Sequence, residues 1–73
     1  MTDKHYAVYM FIIKYIKENG YPPTLEEIAG GVGVKAKSTI SMRLMELQED
    51  GWIEVKMSSP RAIKVVGYNF VEA

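Results

Sequence analysis

The sequence predicts a mostly α-helical fold with a small β-hairpin. Segments 4–19 and 36–50 carry apolar residues at three- and four-residue spacing, which predicts two amphipathic helices. Between them, Thr24 and Glu27 have the spacing of a capping box, which predicts the start of a third helix. Weakly alternating residues on either side of a serine- and proline-containing turn predict a hairpin after the last helix. This order of elements is that of a three-helix winged helix-turn-helix.

The first predicted helix buries one face and ends at Gly20. Its apolar face contains Val8, Tyr9, Ile12, Tyr15 and Ile16. Glycine readily adopts the positive φ that closes a helix, and Pro22 and Pro23 favour a stop beyond it. The second helix follows from Thr24 and is expected to bury Leu25, Ile28 and Ala29. We expect Gly30, Gly31 and Gly33 to break it and to permit positive φ in the turn.

The third predicted helix has an apolar stripe on one side and a mixed stripe on the other. Ile40, Leu44 and Leu47 form the core stripe, and Gly51 stops the helix. The outward residues are Ser38, Met42, Met45 and Glu49, with Thr39 and Ser41 beside them. Hydroxyl groups near the front of such a helix can exchange hydrogen bonds with base edges. Alternatively, Ser38 and Thr39 only cap the helix.

The composition excludes several classes of protein. Because the chain has no cysteine, it can form neither a disulfide framework nor a zinc–thiolate site. No apolar run approaches the roughly 18 residues of a membrane span, and the N-terminus does not have the pattern of a signal peptide. We therefore expect no membrane partner and a cytoplasmic location.

The charges are balanced in number but clustered along the chain. Nine basic and nine acidic residues give zero net charge, whereas most nucleic-acid binders carry a basic excess. Segment 35–43 nevertheless contains three basic residues and no acid, and the hairpin region, 52–66, contains three against one acid. These basic residues are Lys35, Lys37, Arg43, Lys56, Arg61 and Lys64. Such a basic face predicts salt-sensitive binding to a nucleic acid.

No enzymatic activity, metal site, cofactor or small-molecule ligand is predicted. His5 is the only histidine and has no cysteine to share a metal with. Glu26 and Glu27 are adjacent on a helix, so they face different directions and make a poor catalytic pair. Segment 31–38 departs from the phosphate-binding P-loop at Ala36, where glycine is required, and a helix rather than a strand precedes it.

The first helix also carries a second apolar stripe, formed by Tyr6, Met10 and Ile13. Two interpretations stay open. Either the tail residues Tyr68 and Phe70 fold back over the stripe, or two copies of the chain meet there in a homodimer. A side-by-side dimer would present two third helices to two half-sites.

From Val8 to Val66 the sequence resembles the N-terminal winged helix of the LexA repressor family. The matching marks are Gly20-Tyr21-Pro22-Pro23-Thr24, Glu27-Ile28-Ala29, Gly33-Val34, Leu44, Leu47, Gly51, Ile53-Glu54 and Arg61-Ala62-Ile63. The resemblance implies sequence-specific binding of double-stranded DNA, usually by a symmetric repressor dimer. By position, it implies base-reading residues at Ala36, Ser38, Thr39, Ser41 and Met42. The exposed residues of the third helix are not those typical of LexA itself, so no operator sequence is carried over.

We therefore predict a transcriptional regulator whose third helix enters the major groove. Residues 1–66 would form the DNA-binding domain and 67–73 a C-terminal tail. LexA repressors continue into a self-cleaving domain that this sequence lacks, so we expect a fragment or a small stand-alone regulator. The predicted backbone and wing contacts are Lys35, Lys37, Arg43, Lys56, Ser59, Arg61 and Lys64. The alternative function is a protein-interaction module that uses Tyr6, Met10, Ile13, Met42 and Met45.

Overall fold

Three helices precede an antiparallel hairpin in the computed structural model, which describes residues 2–56 and 61–67. The elements are α1 (Asp3–Asn19), α2 (Leu25–Val32), α3 (Lys37–Glu49), β1 (Ile53–Val55) and β2 (Ile63–Val65). The two strands pair with Glu54 opposite Lys64. This order confirms the predicted winged helix-turn-helix.

Local signals set the ends of α1. The Thr2 side chain accepts a hydrogen bond from the His5 amide at the N-terminal end. At the other end, Gly20 has φ 80°, in the left-handed region, and its amide donates to the Ile16 carbonyl. The predicted helix end at Gly20 is therefore confirmed.

Helix α2 begins with the predicted capping box. The Glu27 amide donates to Thr24 Oγ1 at 3.2 Å, and the Thr24 amide donates to Glu27 Oε1 at 2.8 Å. The expectation that three glycines break this helix is wrong for two of them. Gly30 and Gly31 are helical, and only Gly33 has a positive φ, of 75°. Gly31 has a packing role, since a Cβ there would overlap the Phe11 ring.

All five elements contribute to one hydrophobic core, whose position fixes α3 and the hairpin together. Its buried side chains are Val8, Ile12, Ile13, Ile28, Ala29, Ile40, Leu44, Leu47, Ile53, Ile63 and Val65. Helix α3 contacts α1, α2 and β1, so its apolar stripe is covered from three directions. The opposite face of α3 is consequently turned to solvent.

The prediction that Ile13 belongs to a second, exposed apolar stripe on α1 is wrong. Ile13 is only 4% exposed and belongs to the core. Because α1 packs against both α2 and α3, its buried face is wide enough to include the neighbours Ile12 and Ile13. Tyr6 and Met10 of the stripe are exposed, by 56% and 41%. The predicted covering residues, Tyr68 and Phe70, lie outside the described residues.

Candidate nucleic-acid interface

The solvent-facing side of α3 carries the residues expected there. Ser38, Met42, Met45 and Glu49 are exposed, while Thr39 and Ser41 are half-buried on the flanks. Ile40, Leu44 and Leu47 occupy the opposite side and are buried. The core stripe therefore determines which α3 side chains can reach a partner, and the predicted outward set is confirmed.

The N-terminus of α3 has no side-chain cap. Ala36 is the N-cap residue, with an extended backbone and no side-chain hydrogen bond to the helix. The alternative in which Ser38 and Thr39 serve as N-caps is therefore wrong, since both lie inside the helix. Uncapped amides and the positive end of a helix dipole favour an anion, such as a phosphate.

Four lysines lie exposed around α3 and the hairpin. Lys35 and Lys37 are at the start of α3, and Lys56 and Lys64 are on the hairpin. Lys37 Nζ is 3.0 Å from Glu26 Oε1, but both side chains are largely in solvent. Exposed ion pairs of this kind contribute little to stability, so a phosphate can compete for Lys37.

The remaining predicted backbone and wing contacts are less exposed than these lysines or lie outside the described residues. Arg43 is half-buried. Ser59 lies outside the described residues, so its predicted contact stays a prediction.

Arg61 is half-buried and paired with a carboxylate, unlike the exposed lysines. Its Nη1 and Nη2 atoms donate to the two carboxylate oxygens of Glu27, at 2.8 and 3.2 Å. Nη1 also donates to the Pro22 carbonyl at 3.0 Å, and the guanidinium lies 4.7 Å from the centre of the Tyr21 ring. The Glu27 pair engages Nη1 and one Nη2 donor and leaves the side chain 40% exposed, so the predicted DNA contact of Arg61 stays a prediction.

The Glu27–Arg61 pair connects the start of β2 to the helices. The Glu27 carboxylate also accepts hydrogen bonds from the Tyr15 hydroxyl, at 2.7 Å, and from the Thr24 amide, at 2.8 Å. Hydrogen bonds from Arg61, then from Thr24 and Tyr15, lower the pKa of Glu27 from 4.5 to about 2. One carboxylate therefore joins α1, α2 and the hairpin.

A second contact fixes the hairpin against α3 itself. Gln48 Oε1 accepts a hydrogen bond from the Val55 amide at 2.6 Å. Gln48 is the second-last residue of α3, and Val55 is the last residue of β1. The hairpin is thus held at two points, by Gln48 and by Arg61, beside the exposed face of α3. No sequence motif signals the Gln48 contact, since a lone glutamine near a helix end has many roles.

We expect the ionised form of Glu27 to stabilise the fold, with a characteristic pH dependence. A depressed folded-state pKa gives stability that is fully present above the unfolded value and is lost as the pH falls through the folded value. The melting temperature of the parent chain should therefore fall between about pH 4.5 and about pH 2. Glu27→Gln should melt at a lower temperature at neutral pH and show a shallower decline over this window.

Circular dichroism melts at a series of pH values measure this effect. Glu26→Gln is the matched control, because the neighbouring carboxylate is exposed and its ion pair among residues 2–56 and 61–67 is with the exposed Lys37. It should retain the parent's decline below pH 4.5. A Glu27→Gln profile parallel to the parent's throughout would contradict a stabilising role for the pair.

Within residues 2–56 and 61–67, no helix is both long and apolar enough to cross a bilayer. In the same part of the chain, no three histidine, cysteine or acidic side chains are grouped so that they could hold a metal ion.

The sequence is similar to those of known proteins. The family described as LexA DNA binding domain matches residues 1–62. A LexA repressor of Caldicellulosiruptor saccharolyticus is 41% identical over 70 residues, which cover 96% of this chain and 35% of the relative. LexA repressors of Carboxydothermus hydrogenoformans and Clostridium botulinum are 41% and 42% identical over 90% and 88% of this chain, and over 32% of each relative. The chain spans about a third of the length of these curated relatives.

Proposed function

The chain belongs to the LexA DNA-binding domain family, and from this membership we propose that it binds double-stranded DNA sequence-specifically as a transcriptional repressor or as part of one. In this proposal α3 enters the major groove and the hairpin lies over the adjacent backbone. The proposed role is regulatory rather than catalytic. Its proposed location is the cytoplasm, since the role requires access to the chromosome.

The observation that supports the proposal most strongly is the exposed face of α3. A helix with its side chains is about 10–12 Å across, which matches the major groove of about 12 Å. The core holds the apolar stripe of α3 inward, so Ser38 and Met42 project from the protein near the helix front. The proposed base-reading residues are Ala36, Ser38, Thr39, Ser41 and Met42.

The exposed lysines supply the proposed contacts to phosphates. Lys35 and Lys37 would contact the backbone beside the N-terminus of α3, and Lys56 and Lys64 would contact it from the hairpin. Arg43 would contribute from the flank of α3. Arg61 also holds the hairpin in place through Glu27.

Domain extent and assembly are part of the same proposal. Residues 1–66 would form the DNA-binding domain, with 67–73 as a tail. Two copies would meet through Tyr6 and Met10, which are exposed on α1. Such a dimer would place two α3 helices on two half-sites of one duplex.

A protein-interaction module is the second candidate, and exposed apolar side chains favour it. Tyr6, Met10, Met42 and Met45 are all exposed. Selection of bound sequences from a random duplex pool distinguishes the candidates. The DNA-binding proposal predicts that a defined sequence is enriched over successive rounds. A pool that remains random would contradict it and favour the protein-interaction module.

A further inference from the structure

Two methionines dominate the exposed face of α3. Met42 is 56% exposed and Met45 is 50% exposed. Both project from the side opposite Ile40 and Leu44, between Ser38 and Glu49. Large apolar side chains at the centre of a proposed binding surface gain free energy when a partner removes them from water. We therefore ask which apolar group of a partner these two side chains would contact.

The hydroxyl side chains along this face discriminate only weakly between bases. Single hydroxyls, such as those of Ser38 and Ser41, can pair with any base, whereas arginine, asparagine and glutamine read a base with two hydrogen bonds. Gln48 is already engaged with β1 through its carbonyl oxygen. In the major groove the apolar feature that distinguishes one base from the rest is the C5-methyl group of thymine.

We propose that Met42 and Met45 read thymine methyl groups, so that the chain prefers duplexes with thymines under the middle of α3. This inference rests on the proposed function and specifies the bases that its interface recognises. Residues three apart are separated by about 4.5 Å along a helix axis. Base pairs are about 3.4 Å apart along one strand. The two thioethers therefore match methyl groups on neighbouring base pairs.

Duplex DNA suits this face better than a protein partner does. Lys35 and Lys37 lie at the N-terminal end of the methionine pair, where they complement a phosphate backbone. The pair is also bounded by the polar Ser38 and the charged Glu49.

Replacing thymine with deoxyuridine tests the proposal, because it removes the methyl group and leaves the base pairing intact. The probe is the duplex enriched from the random pool, resynthesised with one deoxyuridine at a time. Burial of one methyl group corresponds to about a fourfold change in Kd. We therefore expect about fourfold weaker binding at each of two neighbouring positions, and wild-type affinity for deoxyuridine elsewhere.

Single substitutions show which side chains produce the effect. Met42→Ala and Met45→Ala should each lose the thymine preference at one of the two positions and keep it at the other. Lys14→Ala removes an exposed side chain of α1 that lies outside both proposed contacts and should keep both preferences. Thermal melts check that each variant is folded, and Met45→Gln provides a variant of similar length without the apolar end.

Each outcome bears on one proposal or on both. If the enriched duplex contains no neighbouring thymines under α3, or binds equally well with deoxyuridine at every position, the methyl inference fails while DNA binding stands. Thymine preferences that persist in both methionine variants also overturn the inference. If no sequence is enriched, the proposed function and the inference fail together.

Discussion

Affinity for duplex DNA is expected to fall about 10⁴-fold when the salt concentration rises from about 50 to about 200 mM, if two copies occupy one site. The four exposed lysines, Lys35, Lys37, Lys56 and Lys64, would each neutralise one phosphate. Two copies then neutralise about eight phosphates, which gives a slope of log K against log salt near −7. One copy alone would give a slope of about −3.6, so the same titration reports the stoichiometry.

Single substitutions separate phosphate contacts from structural charges. Lys37→Ala and Lys64→Ala should each reduce the slope by about one per copy and weaken binding to all sequences alike. Arg61→Ala should lower the melting temperature, because Arg61 is engaged with Glu27. A binding affinity that does not change with salt concentration would contradict DNA binding by this surface.

Ile13→Ala is expected to cost about 2–5 kcal/mol of unfolding free energy, because it leaves a cavity in the core. Stabilities of about 0.05–0.15 kcal/mol per residue leave a chain of 73 residues little margin. Urea denaturation should therefore show a much lower midpoint with an unchanged slope. A midpoint equal to the parent's would contradict the burial of Ile13 in the core.

Met10 provides the matched control on the same helix. Met10→Ala should change the unfolding free energy by no more than about 0.5 kcal/mol, as is usual for an exposed position. Met10→Lys then tests the proposed dimer, since it places a charge in each copy's contact without disturbing the core. Sedimentation should shift toward the monomer. An unchanged mass distribution would reject a dimer built on Tyr6 and Met10.

Much of the fold follows from signals within a few residues of one another. The end of α1 at Gly20, the capping box at the start of α2 and the apolar stripe of α3 are each local features. The stripe also determines the opposite face, so the exposure of Ser38 and Met42 could be predicted. These features need only helical periodicity and hydrogen bonding between near neighbours.

The features that the sequence does not reveal are contacts between distant segments. In the sequence Arg61 is one more basic residue, because its partner Glu27 is 34 positions away and is brought near only by the complete fold. Helical periodicity predicts that Ile13 lies on an exposed face of α1, because periodicity does not reveal how many elements α1 packs against. Gly31 was assigned to a turn, whereas its missing side chain admits the Phe11 ring. The surroundings of all three residues depend on tertiary packing, which a local sequence pattern does not determine.

The measurement that tests base reading by α3 most directly is parallel sequence selection with the parent chain and its α3 variants. Alanine variants at five positions, Ser38, Thr39, Ser41, Met42 and Met45, should each change the base preference at a limited set of sites in the duplex. Lys64→Ala, on the hairpin, should weaken binding without altering the preference. If all five α3 variants enrich the same sequence as the parent chain, α3 does not read the bases and the account is contradicted.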